Sequence, residues 1–180
     1  MMDFTEKMKH SETIFNGKML TMKLDTVILP DGNEATREWI VHPGAVGVVA
    51  IDDSGRICLV RQHRYPTGKD LLEIPAGKLS PGEDPLECAN RELEEETGLI
   101  AESWDKIYSY YTTPGFTDEI MHVYLATGLQ AGEASPDEDE FLEVVMVTME
   151  EAWDMMAKGE IQDGKTLIGL LHVFLNQGGR

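Results

Sequence analysis

Positive charge is scarce in this chain. Fifteen lysines and arginines stand against 33 aspartates and glutamates, a net charge of −18 over 180 residues. So acidic a chain is a poor partner for a nucleic-acid backbone or an anionic membrane, and neither is expected. A small phosphorylated substrate stays open, because metal ions and a few placed arginines reverse the field locally. Cysteine is nearly absent: Cys58 lies in an apolar strand pattern and Cys88 in an acidic helical segment. Two such residues do not make a secreted disulfide framework, so a reducing cytoplasm is the expected compartment. No window reaches the roughly 18 apolar residues of a membrane span. Met1 to Glu12 is polar, without the apolar core of a signal peptide. The histidines (His10, His42, His63, His122, His172) show no zinc-ligand spacing.

What is present is enough apolar residue, 42% of the chain, for a compact domain with a sizeable core. Strands are expected across 12–41, where Met19 to Leu29 alternates and Pro30-Asp31-Gly32-Asn33 marks a turn before Glu34 to Val41. Ala45–Ile51 and Arg56–Arg61 flank Asp52-Asp53-Ser54-Gly55 as a second hairpin, apolar enough to sit in a covered sheet. A short strand is expected at 71–75, then a glycine-containing loop. Further strands are expected at 104–112, 120–127 and 142–148. Asp84 can cap a helix with Pro85 at its first position and Glu87 in the capping-box place, and Gly98 suits its left-handed end. Thr148-Met149-Glu150-Glu151 opens a helix to about Lys158. A last helix covers about 165–176, with Leu167, Leu170, Leu171 and Phe174 on one face. Many strands, a helix, strands and two helices make an α+β mixed sheet covered by helices.

The capped helix is the unusual segment. Glu87, Glu92, Glu94, Glu95 and Glu96 share it with one basic residue, Arg91. Like charges three or four residues apart destabilise a helix by about 0.2–0.5 kcal/mol per pair. At about 100° per residue, with Leu86 at zero, Ala89 falls at about 300° and Leu93 at about 340° as the core stripe. Glu96 (about 280°) and Glu92 (about 240°) converge beside it, Glu95 flanks them, and Glu94 faces solvent. Two ionised carboxylates so placed repel each other, and a hard divalent cation with oxygen ligands removes the conflict. From charge pattern alone, a solvated acidic face explains the run equally well.

At these residues the chain resembles the Nudix hydrolases. The family signature is G-x5-E-x7-R-E-U-x-E-E-x-G-U, with U aliphatic. Gly77, Glu83, Arg91, Glu92, Leu93, Glu95, Glu96, Gly98 and Leu99 fill every fixed position over 23 residues. The resemblance extends to the ADP-ribose pyrophosphatase branch through Arg37-Glu38, His42-Pro43-Gly44-Ala45-Val46, Gln62-His63-Arg64, Glu73-Ile74-Pro75-Ala76-Gly77, Thr113 to Glu119, and Asp137 to Phe141. It implies a Nudix-type α/β/α sandwich (α+β, mixed sheet) over 43–180. An N-terminal antiparallel β-arm over 1–42 would serve dimerisation, exchanged between the subunits of a homodimer.

The implied activity is Mg2+-dependent hydrolysis of the diphosphate of ADP-ribose to AMP and ribose 5-phosphate, with Mn2+ as a substitute ion. GDP-mannose or another nucleoside-diphosphate sugar is the alternative substrate, and a non-catalytic nucleotide sensor a more distant one. The resemblance makes Glu92, Glu96 and Glu140 metal ligands, with the backbone carbonyl of Ala76 and with Glu95 as ligand or brace. Arg91 would orient the carboxylates, unless it is only a helical partner of Glu87 or Glu95. Glu138, in the acidic loop, is the candidate general base, with Glu119 or a helical glutamate as alternatives. Arg37 and Arg64 would grip diphosphate or ribose, or form ordinary salt bridges. Glu73 would accept from ribose hydroxyls or hold an arginine. Glu119 is a further substrate contact. Phe15 or Trp39 would stack on adenine, or else pack in a core or dimer interface.

Overall fold

The computed structural model describes residues 3–136 and 140–177, which divide into two compact units. One is Met1–Gly44 with Tyr110–Ile120. It carries a three-stranded antiparallel sheet in the order β1 (Lys7–Asn16), β2 (Thr21–Ile28), β3 (Glu34–Val41). β1 starts five residues before the expected first strand and is exposed along its whole length. Two irregularities, at Met8/His10 and Thr13/Phe15, break its register with β2. The β2–β3 turn follows its sequence. Gly32 takes φ 87°, and Asp31 Oδ1 accepts the Asn33 N–H at 3.0 Å. The segment 110–120 joins this unit through Ile40, whose N–H donates to Phe116 O at 2.8 Å.

The other unit, Ala45–Ser109 with Met121–Arg180, is built on a mixed sheet. Its strands are β4 (Ala45–Ile51), β5 (Ile57–Arg64), β6 (Lys69–Glu73), β7 (Ala76–Lys78), β8 (Leu99–Tyr111), β9 (Ile120–Ala131) and β10 (Leu142–Val147). The order is β10-β5-β4-β9-β8, with β6 on β5 and β7 on β4. β4 is central: it runs parallel to β9 and antiparallel to β5 and β7, and all seven of its residues are buried. Val46, Val48 and Ala50 pack with Cys88, Ala89 and Leu93 of α1 (Pro85–Thr97). On the opposite pleat, Val49 meets Gly169 of α3 (Gly164–Gln177), where a Cβ would lie 2.6 Å from Val49 Cγ2. The period of two along β4 therefore separates two helical layers, an α/β/α sandwich. α2 is Met149–Ala157, opened by the reciprocal Thr148–Glu151 capping box.

Two local expectations shift. The loop after residue 75 begins with β7, which pairs with β4 only after Pro75, a residue with no N–H for a ladder, has interrupted the strand. β8 starts at Leu99, five residues early, because Gly98 in the left-handed conformation (φ 67°) turns α1 directly into it. On α3 the buried positions are Thr166, Gly169, Leu170 and Val173, whereas Leu171 is exposed.

α1 is capped by Asp84, whose Oδ1 accepts from Leu86 N at 2.8 Å and Glu87 N at 3.4 Å. Its buried residues are Cys88, Ala89, Leu93 and Glu96. Leu86 is exposed, so the covered stripe is turned from the expected one, and Glu96 lies within it rather than beside it. The reason is tertiary. Leu86 occupies the first turn, and the cluster under the helix is built on its middle residues.

Candidate active site

α1 carries its glutamates toward the strand–loop segment that opens with β7. Glu96 is 4% exposed, and its Oε2 accepts the Ala76 N–H at 3.0 Å. Burial pushes its carboxyl up to about 8, only partly offset by the Ala76 hydrogen bond, and the charges of Glu92 and Glu140 add to the rise. Glu92 is raised as well, by burial first; Arg91 opposes this, and Glu95 and Glu140 reinforce it. The Glu92 carboxylate lies directly over Gly77, where a Cβ would collide with it. The signature glycine is thus a cradle for a signature glutamate.

Arg91 is the hub of the helix. Its Nε and Nη2 donate to Glu83 Oε1 (2.9 Å) and Oε2 (3.2 Å). Its Nη1 donates to Glu95 Oε2 at 2.8 Å and lies 2.8 Å from Glu92 Oε1. The hydrogen bonds to Arg91 hold Glu83 down at about 2, and Glu83 Oε2 also accepts the Ser80 N–H at 2.8 Å. One guanidinium therefore fixes the loop, through Glu83, to the helix face that presents Glu92 and Glu95. The i,i+4 partnership with Glu95 exists, but it is one of three.

A second arginine approaches from β5. Arg64 Nε and Nη2 donate to the two Glu73 oxygens at 2.7 Å each, a fork on a carboxylate that is 2% exposed. Lys165 of α3 binds Glu73 Oε2 from inside and lies 3.2 Å from Asp163 Oδ2. Burial alone would raise the Glu73 carboxyl; the Arg64 and Lys165 contacts reverse this and hold it below its ordinary value. Glu73 is thus placed to hold an arginine, and its burial leaves little of it for a ribose hydroxyl. Arg64 feels the charge of Glu96, so the fork and the helix carboxylates share one electrostatic neighbourhood.

Lys165 was not legible as a site residue. One signal existed: a cation in the first turn of a helix sits at the positive end of the dipole, which is unfavourable without a partner elsewhere.

In the acidic loop, Glu140 is part-buried and lines an open groove of about 380 Å3 with Arg61, His63, Asp70 and Phe141. Its charge reaches Glu92 and Glu96. Glu138 lies outside the described residues. The remaining candidates belong to the N-terminal unit. Arg37 is held by Glu6 through Nε (2.8 Å) and Nη2. The Trp39 indole N–H donates to Asp25 Oδ2 at 2.8 Å, and Lys23 Nζ stands 5.6 Å from the ring centre. Phe15 is exposed on β1. Glu119 accepts from the Thr112 hydroxyl and lies 3.5 Å from His42 Nε2.

Residues 41–168 match the NUDIX domain. The chain belongs to the Nudix family. It is accordingly a hydrolase acting on pyrophosphate bonds. Along 179 residues this Nudix chain is 45% identical to an ADP-ribose pyrophosphatase of Bacillus subtilis (strain 168), covering 98% of this chain and 97% of that one. It is 44% identical over 176 residues to a methanol dehydrogenase activator of Bacillus methanolicus, covering 97% and 95%. A crystal structure described as an ADP compounds hydrolase shares the fold, with a TM-score of 0.86 at 24% identity over 97% of this chain and 96% of that one. Among the described residues no helix is long and apolar enough to cross a membrane.

Nudix hydrolases generally use divalent cations. Among the described residues no group of three or more His, Cys, Asp or Glu side chains is already gathered as a coordination shell. The donors that do converge fit a hard cation: Glu92 and Glu96 offer carboxylate oxygens, both desolvated and mutually repelling, with Glu140 adding to their burden. A cation there would relieve the charge that burial penalises.

Proposed function

We propose that this Nudix hydrolase cleaves ADP-ribose to AMP and ribose 5-phosphate with Mg2+ as its cofactor and Mn2+ as a substitute. The carrying observation is that two desolvated glutamates, Glu92 and Glu96, and the Arg64 fork lie in one electrostatic neighbourhood. Both kinds of group suit a diphosphate: carboxylates that would hold a cation, and a guanidinium that matches phosphate oxygens. The similarity to the B. subtilis ADP-ribose pyrophosphatase supports the choice of substrate.

In this reading Glu92, Glu96 and Glu140 hold the ion, with the Ala76 carbonyl and Glu95 completing or bracing the set. The ion supplies Lewis acidity toward the phosphate oxygens. Arg91 keeps Glu92 and Glu95 aimed. Glu138 takes the proton of the attacking water, and a helical glutamate or Glu119 is the substitute base. Arg64 binds the diphosphate, with Glu73 behind it. Arg37, Trp39, Phe15 and Glu119 contribute substrate contacts. The arm over 1–42 dimerises the 43–180 hydrolase domain into a homodimer that works in the cytoplasm.

The test is a substrate panel with Mg2+ and Mn2+, comparing ADP-ribose, ADP-glucose, GDP-mannose, NADH and 8-oxo-dGTP, with AMP release and oligomeric mass as readouts. Preference for GDP-mannose would replace the substrate assignment. A second activity, toward another protein, is raised by the B. methanolicus relative. Adding this protein to a purified methanol dehydrogenase and finding an unchanged rate would remove that reading.

A further inference from the structure

We propose that Lys165 is a positioning residue that keeps Arg64 electrically available to substrate, acting through the carboxylate they share on Glu73. The proposal rests on the reading of Arg64 as a diphosphate-binding residue.

Glu73 is 2% exposed and carries two cations. Arg64 takes both oxygens through Nε and Nη2 at 2.7 Å, and Lys165 Nζ shares Oε2. A buried Arg–Glu pair alone is close to neutral, and its field beyond the pair is that of a dipole. The second cation divides the carboxylate, so one net positive charge is left on the three groups. The Lys165 side chain is 10% exposed, whereas Arg64 is 41% exposed, so the outward edge of that charge is the guanidinium. Asp163 Oδ2, 3.2 Å from Lys165, balances part of this, but it also accepts from the Thr166 N–H (2.9 Å) and hydroxyl (2.6 Å).

The geometry is held as well as the charge. Ile74, next to Glu73, donates its N–H to the Thr166 hydroxyl at 2.9 Å, and Thr166 is next to Lys165. The end of β6 and the first turn of α3 are thereby clamped in register. A lysine in that first turn meets the positive end of the helix dipole, and its burial carries a desolvation cost. Both penalties are met by Glu73 together with Asp163.

The test is a double-mutant cycle of Lys165→Met and Arg64→Met, read in kcat, KM and Tm. In the wild-type background Lys165→Met is expected to raise KM on the order of tenfold and to move kcat by less than about threefold. In the Arg64→Met background the same change should leave KM unaltered, because the residue it acts through is gone. Lys165→Arg should restore most of the KM. An effect on KM that adds independently of Arg64, or a fall in Tm with KM unchanged, overturns the proposal. If Lys165→Met fails to fold, Lys165→Gln, which keeps a donor for Glu73 and removes only the charge, carries the same cycle. Silence of the wild type toward ADP-ribose with turnover of GDP-mannose would sink the substrate assignment alone, and the cycle is then read on GDP-mannose. Turnover of neither overturns both.

Discussion

The carboxylate of Glu92 occupies the space that a side chain on Gly77 would need. Gly77 is not among the glycines with positive φ, so its value here is the missing Cβ rather than backbone freedom. This turns a glycine and a glutamate fifteen residues apart into one structural unit.

Gly77→Ala should therefore act on Glu92 without straining the backbone. The carboxylate must swing away, and divalent-cation affinity should fall about 10–100-fold, as for loss of a ligand's support. Isothermal titration with Mn2+ measures it. An alanine variant that binds the ion as tightly as wild type would show that Glu92 is not a ligand.

Glu96→Gln keeps the size and the hydrogen bond from Ala76 N–H but removes the charge. Cation-dependent AMP release from ADP-ribose should drop by on the order of a thousandfold or more, with the far-ultraviolet circular dichroism unchanged. The metal-free variant should be no less stable than wild type at pH 9, because a buried charge has been taken away. Near-normal turnover would place the metal elsewhere.

A pH dependence follows from the raised carboxyl of Glu96, at about 8 in the metal-free protein. Its unfolded value is near the ordinary 4.5. Between the two, the folded state holds a proton that the unfolded state has lost, so this contribution to stability falls as pH rises from 4.5 to about 8 and is then flat. Metal binding must release the same proton. Affinity should climb by up to about tenfold per pH unit below 8 and level above it. Titrations in buffers of different ionisation enthalpy read the proton directly, and an affinity independent of pH between 6 and 8 would remove Glu96 from the ligand set.

Thr166→Val tests the clamp apart from the charge. The hydroxyl is fully buried, accepts the Ile74 N–H and donates to Asp163. Its loss leaves a buried N–H without that acceptor and should lower unfolding free energy by about 1–3 kcal/mol in urea denaturation. A variant as stable as wild type would mean that Ile74 finds another acceptor.

Local signals were readable wherever a few adjacent residues decide the outcome. Asp84, Pro85 and Gly98 bound α1 as expected, Thr148 and Glu151 open α2, and the Pro30–Asn33 turn joins β2 to β3. The 23-residue signature likewise names its family from one contiguous segment, now matched by the domain over 41–168. Less readable was the covered side of α1. Helical angles put Leu86 in the core and Glu96 at its margin, but the cluster from β4, β5 and β9 meets Cys88, Ala89 and Leu93, Leu86 is left exposed, and Glu96 in the last turn is buried.

By itself, then, the sequence determined most of the elements, the family and which carboxylates crowd one helix, because those reside in spacing along the chain. Tertiary structure decided how each carboxylate is charged and what it holds. Glu96 is pushed to about 8 by burial, and the buried Glu73 is bound by Lys165, 92 residues away. Electrostatic roles depend on desolvation and on partners brought from elsewhere in the chain, and neither is written in any short run of residues.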